Sequence, residues 1–182
     1  FRREHECEFL IYDETLISST HLIDMEPQTP VEVTGQVRWY KRPTPGMTYM
    51  VSLDPAMGTG GDYAAIQVFE LPTFEQVGEW HHNTTPMNQQ VRILQSITKH
   101  IQGMFLSEPI RKGHRRKFRR GFNTTAKHKI DACTKFKELV ENNKMKINSQ
   151  LLISELKDFV ASGMSFKAKA GQHDDLVSAC LL

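Results

Sequence analysis

The 182-residue sequence has few cysteines and no long apolar run. Its three cysteines, Cys7, Cys133 and Cys180, are odd in number and far apart. This argues against a disulfide framework and a zinc site, and it favours a reducing compartment. No stretch approaches the roughly 20 apolar residues that span a bilayer, so no membrane contact is expected. Because signal peptide and initiator methionine are both missing, we expect a piece of a longer chain.

What is present is a domain of ordinary size with an uneven distribution of charge. With 39% hydrophobic and 24% charged residues, the chain is expected to form a soluble globular fold. Segment 111–120, RKGHRRKFRR, has seven cations and no acid, which leaves 16 positive and 21 negative charges elsewhere. Such a block is typical of a solvated, phosphate-binding segment. The candidate residues are Arg111, Lys112, Arg115, Arg116, Lys117, Arg119 and Arg120.

Segment 48–71 predicts two strands joined by a glycine-rich turn. The apolar run 49–53 ends in Asp54, and the run 64–69 returns after the turn. The first strand can therefore hold the Asp54 carboxylate rigidly at its C-terminal end. No lysine follows the glycines, which excludes a phosphate loop, and a strand follows where a dinucleotide site needs a helix. The alternative is a plain hairpin in which Asp54 and Asp62 are turn formers.

Hydrophobic periodicity predicts further strands and helices along the rest of the chain. Because adjacent strand residues point to opposite faces, His81 and His82 are not expected to share a metal site, and we interpret them as surface or partly buried side chains. The predicted strands are 31–40 (a strand or edge ribbon), 75–82, 144–148 and 165–170; the predicted helices are 86–101, 126–142, one that starts after Ser149 and ends at Gly163, and 176–182.

His173, Asp174 and Asp175 form an acidic cluster at the start of the last predicted helix. One acid there is explained as a helix cap, but two adjacent acids after a histidine exceed what a cap needs. We expect Asp174 or Asp175 to approach Asp54. Mg²⁺ takes oxygen ligands and would relieve the repulsion between such carboxylates. Two such ions can activate water and stabilise the leaving oxygen in phosphodiester cleavage.

Four runs, SLDPAMGTGGDYAAI, GFNTTAKHK, LISELKDF and GQHDDLVSA, resemble the C-terminal nuclease domain of the large terminase of tailed bacteriophages, close to the T-even type. The resemblance covers most of residues 46–182. It implies an α/β, RNase H-like fold with a mixed central sheet flanked by helices. It also implies an Mg²⁺- or Mn²⁺-dependent endonuclease with two ions, which cuts double-stranded concatemeric DNA during viral genome packaging, with the basic block 111–120 on the DNA backbone.

The resemblance also implies roles for individual residues and partners. Asp54 matches the catalytic acid of the first strand, Asp174 or Asp175 supplies another metal ligand, and Asp62 and His173 are secondary candidates beside the site. Residues 1–45 would be an arm from an absent ATPase motor domain, and residues 46–182 the nuclease core. The implied partners are double-stranded DNA, that ATPase domain, the portal and the small terminase subunit, in a packaging complex in the host cytoplasm.

One part of the family pattern has no clear counterpart. The family carries a central acid, usually Glu, on a strand between the first helix and the basic region. Here Glu108 precedes a proline, and the stretch 103–110 is too short for that strand, its acid and a following helix. Either the domain lacks this ligand, or a segment between about Gly103 and Glu108 is missing, which we favour. The alternatives to this nuclease are a non-catalytic DNA-binding or docking module and a junction resolvase-like nuclease.

Overall fold

The computed structural model describes residues 14–99, 101, 107–112, 115–121 and 124–182, and for 107–112 and 115–120 it describes the backbone alone. The elements in chain order are α1 (Ser19–Asp24), β1 (Glu32–Thr34), β2 (Val37–Trp39), β3 (Thr48–Asp54), β4 (Ala64–Leu71), β5 (Glu75–His82), α2 (Met87–Thr98), β6 (Ser107–Lys112), β7 (Arg115–Arg120), α3 (Ala126–Glu141), α4 (Gln150–Asp158), β8 (Phe159–Ser162), β9 (Ser165–Ala168) and α5 (Asp175–Cys180).

The main sheet contains five strands in the order β1-β2-β5-β4-β3, and all of their pairings are antiparallel. This architecture of a sheet with helices confirms the predicted α/β class. The predicted hairpin of β3 and β4 is also confirmed, because the two strands pair from Thr48 opposite Leu71 to Asp54 opposite Ala65. Asp54 is therefore the last residue of β3, as expected.

The sheet separates two hydrophobic cores. Alternate residues of β4 point to opposite faces of the sheet. On one face, Ala64, Ile66 and Val68 pack with α2. On the other face, Ala65 packs with α3, α4 and α5. We call the second side the helical face of the sheet. The chain before residue 45 contributes to both cores, through Leu16, Ile17 and Leu22 on the helical face and Val37 and Trp39 on the other. The division of the chain at residue 45 stays a prediction.

A buried amide joins the sheet to the start of α4. Gln76 of β5 is fully buried, and its Oε1 accepts hydrogen bonds from the backbone N–H groups of Asn148 and Ser149. Its Nε2 donates to Oε1 of Gln67 on β4. Ser149 then caps α4 by accepting the Leu152 N–H, as its position before the apolar run predicted. The start of α4 is thus fixed to the sheet.

Two element predictions were wrong in detail, and a third was left open between two forms. The helix after Ser149 ends at Asp158, because residues 159–162 pair with β9 around Gly163, which has a φ of +60°. Segment 144–148 makes one bridge, between Lys146 and Glu75, instead of a strand. Segment 31–40 takes the second of its two predicted forms, an edge ribbon, because a glycine at position 35 with a φ of +62° turns it into the hairpin of β1 and β2 at the edge of the sheet.

Strands β6 and β7 form a separate two-stranded sheet. Stretch 107–112 is therefore a strand, which the short segment after α2 did not predict, and Glu108 lies on it in register with Arg119. The side chains of the seven cations lie outside the described residues, as does segment 102–106, so the suggested missing segment stays a prediction. None of the described helices is long and apolar enough to cross a membrane.

Candidate metal centre

The candidate site begins with three residues that lie side by side on the helical face. Asp54 of β3 is opposite Ala65 of β4, and Ala65 is opposite His81 of β5. Directly opposed residues share a face, and strands are about 4.8 Å apart, so Asp54 and His81 are separated by about 10 Å across the sheet. Ala65, between them, is small and fully buried in the hydrophobic core of the helical face.

Helix α5 lies over this row. It packs on β3 and β4, and the Ser52 hydroxyl, two residues before Asp54, donates a hydrogen bond to the carbonyl oxygen of Ala179. Asp174 and Asp175 lie at the N-terminal end of the helix. The helix therefore brings both acids from the end of the chain to the carboxylate of Asp54.

The electrostatics of Asp54 reflect this arrangement. Burial, followed by the negative charges of Asp175 and Asp174, raises the pKa of Asp54 to about 6, although the cation of Lys129 opposes the shift. Asp62, in the loop after β3, adds a smaller effect in the same direction. Burial also raises the pKa of Asp175. The carboxylate of Asp174 adds to the shift of the Asp175 pKa, because a like charge disfavours ionisation.

The two adjacent acids face different groups. Asp174 lies 3.8 Å from Nζ of Lys129 on α3, whereas Oδ2 of Asp175 lies 3.6 Å from Nδ1 of His173. Asp175 also belongs to a group of three residues, with His81 and Glu155, whose potential ligand atoms all lie within 4.8 Å of one another. The sequence left the choice between Asp174 and Asp175 open, and these contacts favour Asp175 as the metal ligand.

Glu155 was not among the predicted site residues. Its Oε2 accepts the backbone N–H of Val177 in α5, and burial, more than any neighbouring charge, raises the pKa of Glu155 to about 8. A signal for it is present in the sequence. Glu155 follows Leu152 by three residues and precedes Phe159 by four, so it lies on the apolar side of the predicted helix, where an acid needs a partner.

His81 was predicted to be a surface or partly buried side chain, and it is half-buried. Burial, followed by the cationic charge of Arg38, lowers the pKa of His81 to about 4, so the imidazole is neutral at neutral pH. A neutral imidazole is the form that binds metals. Its ring stacks on Tyr63 at a centroid distance of 4.2 Å, and Tyr63 meets His173 edge-on at 4.9 Å. Tyr63, which the sequence did not single out, holds both histidines beside Asp175.

The described residues fit a divalent cation. Three buried or half-buried acids, Asp54, Asp175 and Glu155, have raised pKa values, and a nearby 2+ charge would stabilise their ionised forms. Oδ2 of Asp175 and Nε2 of His81 are buried, and neither has a hydrogen-bond partner among the described residues. Asp54 also lines a cleft of about 140 Å³ with Lys129 and Ser178, which has room for an ion and a few waters.

Comparison with known proteins gives the same family as the sequence resemblance. The family model described as the terminase RNase H-like domain matches residues 51–182. The large terminase nuclease from thermophilic phage G20c with bound magnesium superposes with a TM-score of 0.70 at 17% identity, over 92% of this chain and 95% of that chain. Its cobalt-bound structure gives a TM-score of 0.69 at 16% identity, over 92% and 95%.

A second phage gives the same result. The large terminase nuclease domain of Thermus phage P74-26 superposes with a TM-score of 0.65 at 17% identity, over 89% of this chain and 90% of that chain. At such identities the superpositions show the fold, which confirms the RNase H-like prediction, while the closeness to the T-even type stays a prediction. Because the family model matches most of the chain and the superpositions agree with it, the chain belongs to the family of terminase RNase H-like domains.

Proposed function

We propose that this chain is the metal-dependent endonuclease domain of a large terminase, which cleaves double-stranded concatemeric DNA during viral genome packaging. The observation that carries the proposal is the meeting of Asp54, at the end of β3, with Asp174 and Asp175, at the start of α5. The G20c nuclease of the same fold was solved with bound magnesium and with bound cobalt, which supports a divalent ion here.

Asp54 and Asp175 are the proposed oxygen ligands of Mg²⁺ or Mn²⁺, and the proposed site holds two ions. When bound, such ions polarise the scissile phosphate and lower the pKa of the attacking water. Asp174 has a different role, because its carboxylate lies beside Lys129 and keeps that ammonium group at the cleft that Asp54 lines. Lys129 would there attract a phosphate of the DNA backbone.

The basic block provides the DNA-binding surface in this proposal. Its cations are carried by the β6–β7 hairpin, in which Arg111 pairs with Arg116 and Lys112 with Arg115. Lysine and arginine bind phosphates without reading bases, so affinity should depend strongly on salt and little on sequence. The ATPase domain, the portal and the small terminase subunit stay predicted partners.

A plasmid-nicking assay in Mg²⁺ or Mn²⁺, against EDTA, tests the proposal with the variant Asp54→Asn. The substitution keeps the size of the side chain and removes its charge, so we expect cleavage to fall at least about 100-fold. DNA binding, measured by gel shift, should stay close to that of the unchanged protein. Asp24→Asn, at an exposed end of α1, is the matched control and should cleave normally.

Other outcomes separate the alternatives. Cleavage by Asp54→Asn at the normal rate would show that this carboxylate is not a metal ligand of the reaction. Binding of DNA without cleavage by the unchanged protein, in either metal, would favour the docking module. Preferential cleavage of branched over linear duplex DNA would favour the junction resolvase-like nuclease.

A further inference from the structure

Three side chains from separate elements meet at one point on the helical face. They are His81 of β5, Glu155 of α4 and Asp175 of α5, and their ligand atoms lie within 4.8 Å of one another. His81 Nε2 and Glu155 Oε1 are 3.8 Å apart, too far for a hydrogen bond. The three ligand atoms are therefore close enough to bind one ion, but His81 and Glu155 do not form a hydrogen bond with each other.

Each of the three retains an atom that can bind a ligand. Nε2 of His81 and Oδ2 of Asp175 are buried and have no hydrogen-bond partner among the residues described. Glu155 uses Oε2 to accept the Val177 N–H, so it turns Oε1 towards His81. Buried polar atoms without partners are uncommon in native proteins because their desolvation is not compensated, so several of them at one point indicate a bound ion.

The spacing suits a transition-metal ion. With bonds of about 2.1 Å, neighbouring ligands of a tetrahedral ion lie about 3.4 Å apart, so the 3.8 Å between His81 and Glu155 needs only a small contraction. Two carboxylates balance a 2+ charge, and a neutral imidazole completes the set. Imidazole nitrogen suits Zn²⁺, Co²⁺ and similar ions, whereas Mg²⁺ favours an all-oxygen shell.

We infer that His81, Glu155 and Asp175 form an ion site with a nitrogen ligand, which binds Mn²⁺, Co²⁺ or Zn²⁺ more tightly than Mg²⁺. Asp175 is also a proposed metal ligand beside Asp54, and so the inference rests on the proposed function. His81 and Glu155 would thus give the domain a preference among divalent ions that Asp54 and Asp175 alone would not produce.

The test measures metal binding on the full 182-residue chain, with His81→Phe as the main variant. Phenylalanine keeps a flat ring against Tyr63 and removes Nε2. Calorimetric titration should show Mn²⁺ affinity at least about 10-fold lower than in the unchanged protein, with Mg²⁺ affinity changed less than about threefold. His82→Phe is the matched control, because it alters the neighbouring histidine, which points to the opposite face and bonds Thr85.

A spectroscopic measurement identifies the ligand directly. Pulsed EPR of the Mn²⁺-loaded protein should show coupling to a directly bound nitrogen, and this coupling should disappear in His81→Phe and persist in His82→Phe. Glu155→Gln is a second variant, since its amide oxygen can still accept the Val177 N–H while the carboxylate charge is lost. It should also weaken Mn²⁺ binding, even if His81→Phe does not fold.

The results separate the inference from the proposed function. Unchanged Mn²⁺ affinity and nitrogen coupling in His81→Phe, or equal affinities for Mn²⁺ and Mg²⁺ in the unchanged protein, would overturn the ion site even if Asp54→Asn abolishes cleavage. Conversely, loss of the nitrogen coupling in His81→Phe together with normal cleavage by Asp54→Asn would support the ion site and refute the proposed role of Asp54.

Discussion

Replacement of Gln76 by methionine should destabilise the domain strongly, although it hardly changes the volume of the side chain. The amide is fully buried and makes three hydrogen bonds through its side chain. Methionine would leave Oε1 of Gln67 and the N–H groups of Asn148 and Ser149 without partners. Each buried polar group that loses its partner costs about 1–3 kcal/mol, and so the sum is about 3–9 kcal/mol.

We expect a loss near the lower end of this range, about 4 kcal/mol, because methionine adds apolar contacts in the space that the amide occupied. Urea unfolding measures it. With a slope of about 2 kcal/mol per molar urea, the midpoint should fall by about 2 M. The matched control is Gln150→Met, because Gln150 is exposed and its side-chain amide donates to the exposed Ser154 hydroxyl instead of to buried groups. That variant should change stability by less than about 0.5 kcal/mol.

The outcome that contradicts this reasoning is a midpoint within about 0.5 M of the unchanged protein for Gln76→Met. Such a result would mean that water or a shifted amide replaces the three hydrogen bonds at little cost. A failure of Gln76→Met to fold, while Gln150→Met folds normally, would agree with the upper end of the range. Since α4 carries Glu155, a folded Gln76→Met protein should also bind Mn²⁺ more weakly if the ion site exists.

Two further predictions concern acid stability and the loop after Asp54. Partial burial opposes ionisation of Glu141, but hydrogen bonds from the Ser18 N–H and from Lys137 outweigh it and lower the pKa of Glu141 below 4.5. The Glu141 carboxylate therefore contributes about 1 kcal/mol of stability, which is present above pH 4.5 and lost below it. Urea unfolding of Glu141→Gln should show a lower free energy of unfolding than the unchanged protein at pH 7, and this difference should shrink as the pH falls below 4.5. A difference of the same size at pH 7 and below pH 4.5 would refute this. Gly58→Ala should destabilise the protein by about 1–3 kcal/mol and slow nicking, because the added Cβ would overlap the backbone carbonyl oxygen of Thr85 and the φ of +73° disfavours any side chain. A Cβ added at Gly61 would extend into open space, so Gly61→Ala should neither destabilise the protein nor slow nicking. Equal effects of Gly58→Ala and Gly61→Ala would contradict the argument.

The local features of this fold were predictable because neighbouring residues determine them. Two short apolar runs on either side of a glycine-rich turn predicted β3 and β4, and the position of Asp54 followed from where the first run ends. The end of α4 was not predictable in the same way. Phe159 continues the helical spacing of Leu152 and Leu156, yet it begins β8, because pairing with β9 satisfies its backbone. That partner is set by the tertiary fold, not by the helix itself.

Glu155 shows a different limit. The sequence showed an acid on the apolar side of a helix, which signals a buried partner. That partner is a backbone N–H in α5, and a histidine on β5 lies 3.8 Å from the other carboxylate oxygen. Neither can be identified from periodicity, since each depends on how α4 and α5 pack on the sheet. The acids at 174 and 175 were easier to single out, because two adjacent carboxylates after a histidine exceed what a helix cap needs, and their role as metal ligands stays a prediction.

The choice between His81 and His82 depends on one irregularity in the sheet. Gln76 faces the helices, so strict alternation along β5 would also direct His82 there and His81 away. The β4–β5 pairing shifts register between Val68 and Phe69, which places an extra residue on β5 and reverses the alternation. His81 consequently lies opposite Ala65, on the face with Asp54. No local sequence pattern predicts a β-bulge of this kind. The bulge determines which histidine lies on the face of Glu155 and Asp175 and can join them in the inferred ion site.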